Sequence, residues 1–436
     1  MMALIGIAMA MVLCLIVMGV PILYAFTSAT FFMILALDYD PSFLLTYGYS
    51  VTGSIVLLCV PLYVCVGSIM NKSELGRALI DFVNVFVGRV KGGLGIVAVC
   101  ASAVFGSISG SSTATLTCIG SIILPRMYEK GYPRGHAAAL LTNACPLGLL
   151  IPPSSTMILY AWVARQSILA CFLATVLPGI ILAICLSICN VVMLRNCNEL
   201  ILEDPINSFE ERVKLISVKG KEAIPALLMP IIILGGTYSG VFTPTESAAI
   251  AVFYAIPVGF WVYKKLTMKG LCEAFIESAT TTGVVMIMVF CMMTLSRILI
   301  MMDLPQLIIH FMSAISDNPK VVLFFINLLL LFLGMIMDDT SAMLLTVPIL
   351  VPIAQAFGIH PVHLAAVVGV NLGLGIITPP CAPMLYLGSR VGNCPIVEML
   401  KPTVIFIIFA WFPTLILVSY FPELSLWFPR FVLGNV

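Results

Sequence analysis

Two segments of this chain align with one another. Phe105 to Met157 lies on Phe332 to Met384 without a gap, pairing Thr113 with Thr340, Pro125 with Pro352, Gly131 with Gly358, His136 with His363, Gly148 with Gly375 and Pro152-Pro153 with Pro379-Pro380. Both copies carry an apolar run broken by glycine and proline. Hydrophobic residues make up 61% of the chain against 9% charged, and mean hydropathy is +1.14, so these side chains cannot assemble a soluble surface. The chain is expected to be polytopic in a lipid bilayer, and matched interruptions in two halves of such a chain point to sites at the membrane midplane.

About 20 apolar residues per spanning helix leaves room for about a dozen helical elements and no large soluble domain. Met1 to Val20 has no basic segment ahead of its apolar run and reads as a first membrane helix, not a secretory signal. The net charge of +1 gives no reason to expect a nucleic-acid partner.

Basic residues set the expected topology. Five clusters hold 17 of the 21 Lys and Arg: Lys72, Arg77, Arg89 and Lys91; Arg126, Lys130 and Arg134; Arg195, Arg212, Lys214, Lys219 and Lys221; Lys264, Lys265 and Lys269; Arg390 and Lys401. All five should face the cytoplasm, with the acidic turn Asp38 to Pro41 outside. Only Gly92 to Pro125 separates the first two clusters, so that segment must enter and return as a re-entrant hairpin with its tip near Gly106 to Ser112. From Arg134 the chain is expected to cross out to about Arg165, in to Arg195, out by Tyr238, in by Lys264 and out by Asp303. Five crossings invert the second copy, whose hairpin spans about Asn318 to Gly358.

The first tip reads Gly106-Ser107-Ile108-Ser109-Gly110-Ser111-Ser112-Thr113. Irregular backbone at membrane depth persists only where protein buries it or a cavity receives it. Its hydroxyls and freed carbonyls suit a hard cation such as sodium, while Ser111 or Ser112 also fits as the cap of the following half-helix. At the second tip Asp338 and Asp339 stand opposite those serines, ahead of Thr340. Intramembrane carboxylates are costly and mark function, although one of the two again fits as a cap. Pro152 and Pro153 release the carbonyls of Gly148 and Leu149, and Pro379 and Pro380 those of Gly375 and Ile376. Asn143, Asn371 and Thr378 are polar candidates to complete ion coordination. His136 and His363 read as helix-end residues, and the fourteen cysteines, without a CxxC pair, as small packing residues. Asn196 to Glu222 is a polar linker with a short surface helix; Ser73 to Val87 and Thr267 to Ala279 are candidate amphipathic arms or ordinary solvated loops.

Several stretches resemble a known family. Phe105 to Ser112, Leu150-Ile151-Pro152-Pro153-Ser154, Gly240-Val241-Phe242-Thr243-Pro244-Thr245-Glu246 and Asn371 to Pro380 are similar, in order, to the large membrane subunit (M, DctM type) of TRAP transporters, the tripartite ATP-independent periplasmic systems. Length fits an M subunit unfused to its partner. Pro146 departs from the family, which has small flexible residues there, and shifts the expected break by a turn. The resemblance implies a sodium-driven elevator in the bacterial inner membrane, a small membrane subunit (Q), and a periplasmic binding protein (P) delivering a small organic acid; a stand-alone ion-coupled carboxylate transporter is the alternative.

The expected fold is thus an all-α polytopic membrane protein with two inverted repeats, each a re-entrant hairpin plus a Pro-Pro-broken helix. Scaffold and first arm cover 1–91, the first core 92–165, scaffold with linker 196–222 and second arm 166–316, the second core 317–390, and a terminal helix and tail 391–436. Sodium ligands are expected among Ser109, Ser112, Asn143, Gly148 and Ile151, and among Asp338, Asp339, Thr340, Asn371, Gly375 and Thr378. The substrate is expected at Ser109, Gly110, Ser111, Ser112, Thr113 and Pro153, where the hairpin exposes a half-helix N-terminus with no carboxylate. A channel built on such loops draws them from several subunits around one axis, whereas this chain supplies the pair itself. An intramembrane enzyme needs a nucleophile or metal set, and four scattered histidines outside any HExxH or GxSxG context supply neither.

Overall fold

The computed structural model describes residues 2–87, 91–197, 200–201 and 209–434, and among these there are helices and no strand. Arg89 and much of the linker lie outside the described residues, as do the side chains of Arg212 and Lys214. The chain opens with α1 (Met2–Val17), α2 (Ile22–Leu37) and α3 (Pro41–Thr52), followed by α4 (Cys59–Lys72) and α5 (Leu75–Val87). Next come α6 (Gly93–Ser109) and α7 (Ser112–Glu129), then α8 (Arg134–Ala144), the single turn α9 (Leu147–Leu150) and α10 (Ser155–Val163). The middle holds α11 (Ile168–Leu194), α12 (Phe209–Tyr238), α13 (Pro244–Pro257), α14 (Met268–Met301) and α15 (Leu304–Ile315). After these are α16 (Pro319–Ile336), α17 (Asp339–Ala356), α18 (Pro361–Gly375) and α19 (Pro383–Gly392), and finally α20 (Ile396–Phe406), α21 (Phe412–Tyr420) and α22 (Glu423–Leu433).

Seven of the described helical runs are long and apolar enough to cross a membrane, or eight if α8–α9 and α10, bent by 43°, count as one broken span. α11 shows what such a helix needs. Leu182, Leu186, Asn190 and Leu194 are buried on one face, while Ile180, Ile184, Ile188 and Val192 form an exposed apolar stripe suited to lipid. Each stretch expected to cross between the two copies is helical: α8 to α10, α11, α12, α13 and α14.

Ion pairs gather the basic clusters at one end of the molecule. Asp81 on α5 pairs with Arg126 of α7 at 2.7 Å and Lys219 of α12 at 3.6 Å, Lys265 reaches Glu74 at 3.6 Å, and Lys72 reaches Glu273 at 2.8 Å. The fifth cluster joins through the Tyr128 hydroxyl, which donates to the Gly392 carbonyl at 2.7 Å.

Three elements differ from expectation. Thr267 to Ala279 is no separate arm, because Thr267 caps a helix that runs unbroken for 34 residues to Met301. At 1.5 Å per residue it is about 51 Å long, more than a hydrocarbon core, so its first turns extend past that core or the helix tilts. The helix of the linker likewise continues from Phe209 through Pro225 and Pro230 to Tyr238. The segment after α21 holds a further helix, α22, packed on α11. Thr243-Pro244-Thr245-Glu246 has a local explanation: Thr243 caps α13, Pro244 takes its first position, and the Glu246 carboxylate accepts from the Thr243 N–H at 2.7 Å, a reciprocal capping box.

Candidate functional site

The first tip is a sharp turn between α6 and α7. Gly110 adopts the left-handed conformation (φ +61°) and its N–H returns to the Gly106 carbonyl at 2.8 Å, ending α6. Ser111 then caps α7, its Oγ accepting from the Ala114 N–H at 3.4 Å. At the second tip Asp338 takes the same role for α17, accepting from the Ser341 N–H at 3.1 Å and the Ser341 hydroxyl at 2.5 Å. Capping therefore uses Ser111 and Asp338 and leaves the next residue of each tip available. The Ser112 Oγ is buried without a hydrogen-bond partner among the described residues, and Asp339 accepts from the Thr156 hydroxyl of α10 at 2.9 Å, linking the two copies.

Close backbone approach seats each hairpin against its broken helix. A Cβ on Gly106 would stand 2.6 Å from the Cα of Gly148, and one on Gly334 would stand 3.0 Å from the Cα of Gly375. Only glycine permits that spacing. Pro152-Pro153 and Pro379-Pro380 are both joined by cis peptide bonds. The break after α9 frees a carbonyl as expected, since the residues three and four beyond Leu149 are both proline. The second break does not leave its carbonyls free: Gly375 accepts from the Thr378 N–H at 3.0 Å and Ile376 from the Met384 N–H at 3.2 Å. A tight turn ahead of the prolines satisfies Gly375, the chain curling back after Pro380 satisfies Ile376, and the Thr378 hydroxyl donates to the Leu374 carbonyl at 2.6 Å. Pro146 interrupts the helix for only two residues, between Ala144 and Leu147, and does not shift the break: the 43° bend falls between Leu150 and Ser155, at Pro152-Pro153, while α18 runs without interruption to Gly375.

Behind the tips two amides are half satisfied. Asn143 donates to the Ala139 carbonyl at 2.8 Å, and Asn371 donates to Asn327 at 2.9 and 3.0 Å, yet both Oδ1 atoms are buried without a partner among the described residues. His136 and His363 are not at the site. Both are buried, the first 3.0 Å from the Asn190 side chain and the second 2.9 Å from the Val418 carbonyl, tying α8 to α11 and α18 to α21.

Both tips open into one cavity of about 630 Å³. Ser109, Gly110, Ser111, Ser112 and Thr113 line it from one side and Asp338, Asp339 and Thr340 from the other; Asn143, Gly148, Ile151, Pro153, Asn371, Gly375 and Thr378 stand outside the lining. Ser68 and Asn71 of α4 and Glu277 and Thr281 of α14 also line it. These four escape a reading of the sequence, although the i,i+4 spacing of Glu277 and Thr281 within an apolar helix was an available signal. Among the described residues the lining includes three carboxylates, Glu277, Asp338 and Asp339, and no Lys, Arg or His. α4 presses on the first tip, where a Cβ on Gly67 would lie 3.0 Å from the Ser109 Cα.

Comparison with known proteins agrees with this architecture. The family described as "Tripartite ATP-independent periplasmic transporter, DctM component" matches residues 8–424. The sialic acid TRAP transporter large permease protein SiaM of Vibrio cholerae is 38% identical over 378 residues, covering 87% of either chain. The C4-dicarboxylate TRAP transporter large permease protein DctM of Pseudomonas aeruginosa is 34% identical over 380 residues, covering 86% of either chain. In fold, the chain is similar to the crystal structure of the Alcanivorax borkumensis YdaH transporter, with a TM-score of 0.63, 15% identity, and coverage of 89% of this chain and 90% of that one. A multi-pass inner-membrane protein and not an enzyme, this chain belongs to the DctM family, the large permease component of TRAP transporters.

Proposed function

We propose that this chain carries a small carboxylate inward across the inner membrane together with sodium moving down its gradient. A periplasmic binding protein delivers the substrate, and a small membrane subunit accompanies the chain. The observation that carries this reading is the single cavity formed jointly by both tips, with buried, unpartnered oxygens at Ser112, Asn143 and Asn371 beside or behind them. An orphaned buried acceptor costs about 1–3 kcal/mol, and a hard cation that takes oxygen ligands removes that cost. One sodium is assigned to Ser109, Ser112, Asn143, Gly148 and Ile151, and the other to Asp338, Asp339, Thr340, Asn371, Gly375 and Thr378.

Sialic acid and C4-dicarboxylates, named for two relatives, are both carboxylates, and this supports an acid as substrate. Its carboxylate is placed at Ser109 to Thr113 and Pro153, on the hairpin end without a side-chain charge, with sodium offsetting Asp338 and Asp339. The tripartite family favours delivery by a binding protein over a stand-alone carrier. Residues 92–165 and 317–390, related as inverted repeats with re-entrant hairpins, move as one elevator body against the remaining helices. Asp338→Ala or Asp339→Ala should weaken sodium activation of uptake in liposomes; wild-type activation in both variants would sink the assignment of the second ion.

A further inference from the structure

α7 is covered on every side but one. Between the tip and its last turn its exposed residues are Thr113, Thr117, Ser121 and Pro125, four apart and therefore stacked on one face. On α11 the corresponding exposed stripe is wholly apolar, as lipid requires. Here it carries three hydroxyls. The Thr117 hydroxyl lies 2.9 Å from the Thr113 carbonyl and the Ser121 hydroxyl 2.8 Å from the Cys118 carbonyl, and each can rotate from that carbonyl to donate to a passing carboxylate.

That face looks onto two neighbouring chambers that share Asn71 in their walls. Thr113 and Thr117 line the cavity between the tips, while Ser121 and Pro125 line a second cavity of about 510 Å³ whose walls include Arg77 and Arg126. At the matching positions of α17 the route is shut: Leu344 is buried, Pro348 is half-buried, and only Pro352 is exposed. The track therefore runs one way, from the tips to the end of the molecule where the basic clusters meet. The charge of the walls changes along it. Among the described residues three carboxylates and no cation line the first chamber, whereas Arg77 and Arg126 line the second beside a single carboxylate, Glu74. Arg126 pairs with Asp81 at 2.7 Å and Arg77 with Glu74 only at 3.6 Å, so guanidinium N–H groups remain for an anion.

We propose that this face of α7 is the track by which a carboxylate leaves the cavity for the basic face, and that Arg77 and Arg126 form a second, weaker anion station at its end. The proposal rests on the reading of the tip cavity as the substrate site, but its test needs neither substrate nor sodium. Thr117→Cys and Ser121→Cys, each in the full chain, would be labelled in inside-out and right-side-out membrane vesicles with anionic sulfonatoethyl and cationic trimethylammonium-ethyl methanethiosulfonates. Peptide masses would separate the new thiols from the native ones. Both cysteines should react from the basic face, and Ser121→Cys should favour the anionic reagent. Adding Arg77→Gln should cut that preference about fivefold, and Arg77→Lys should keep it. Cysteines that are unreactive in inside-out vesicles would overturn the track, and a preference indifferent to Arg77→Gln would overturn the anion station. A transporter that proves indifferent to sodium would leave both labelling outcomes standing, so the two readings fail separately.

Discussion

The two serines at the first tip separate stability from ion binding. The Ser111 Oγ caps α7, accepting from the Ala114 N–H at 3.4 Å and lying 3.0 Å from the Thr113 hydroxyl. Losing such a cap costs about 1 kcal/mol, and the long bond places Ser111→Ala at or below that figure. The neighbouring Ser112 Oγ is buried without a partner, so Ser112→Ala removes a group whose burial itself costs about 1–3 kcal/mol, and the empty protein should lose no stability. If that oxygen ligates sodium, its loss should weaken binding about tenfold, or about 1.4 kcal/mol. At sodium one hundred times the original Kd, stabilisation by the ion would drop from about 2.7 to about 1.4 kcal/mol. Thermal unfolding of the purified chain, with choline replacing sodium, measures both effects. Ser111→Ala should lower the unfolding temperature equally with and without sodium; Ser112→Ala should match the parent in choline and lose part of the sodium-induced rise. An unchanged sodium half-saturation in Ser112→Ala, or a loss of stability in choline equal to that of Ser111→Ala, would refute the reasoning.

Gly106→Ala places a methyl 2.6 Å from the Gly148 Cα, inside ordinary carbon contact, and should destabilise by about 1–3 kcal/mol as the hairpin retreats. Gly235→Ala on α12 meets nothing within 4 Å and should stabilise by about 0.5–1 kcal/mol, so equal unfolding temperatures for the pair would contradict the close approach. A Cβ on Gly67 would lie 3.1 Å from that of Ser109, a few tenths of an ångström inside the ~3.5–4.5 Å a disulfide spans, so with a small retreat of α4 Gly67→Cys with Ser109→Cys should lock the first tip to α4 and stop uptake until reduced. Compared with the reduced Cys pair, undiminished uptake in a fully crosslinked sample would exclude a rigid-body elevator.

The tips were legible in the sequence because their chemistry is local. Gly110 is followed by a serine cap, Met337 by an aspartate cap, and paired prolines stop a helix wherever they stand. Long-range consequences were not legible. Orphaned carbonyls follow from Pro379 and Pro380 alone, but whether they stay orphaned depends on Met384 folding back, which no local rule contains. Glu277 and Thr281 join the site because α14 continues straight through a stretch whose polarity suggested an arm. Ser68 and Asn71 depend on which face α4 turns to the tips, and packing against α6, α13 and α14 decides that. The Gly-Val-Phe-Thr-Pro-Thr-Glu stretch was informative about family membership, although its residues serve a helix start.

If sodium and a carboxylate pass together through the cavity between the tips, liposomes holding this chain and its small subunit, with the binding protein outside and an inward sodium gradient, should accumulate labelled C4-dicarboxylate or sialic acid. Uptake should rise above the external concentration and stop when the gradient is collapsed or the binding protein is left out. Uptake that continues unchanged without the sodium gradient would contradict that coupling.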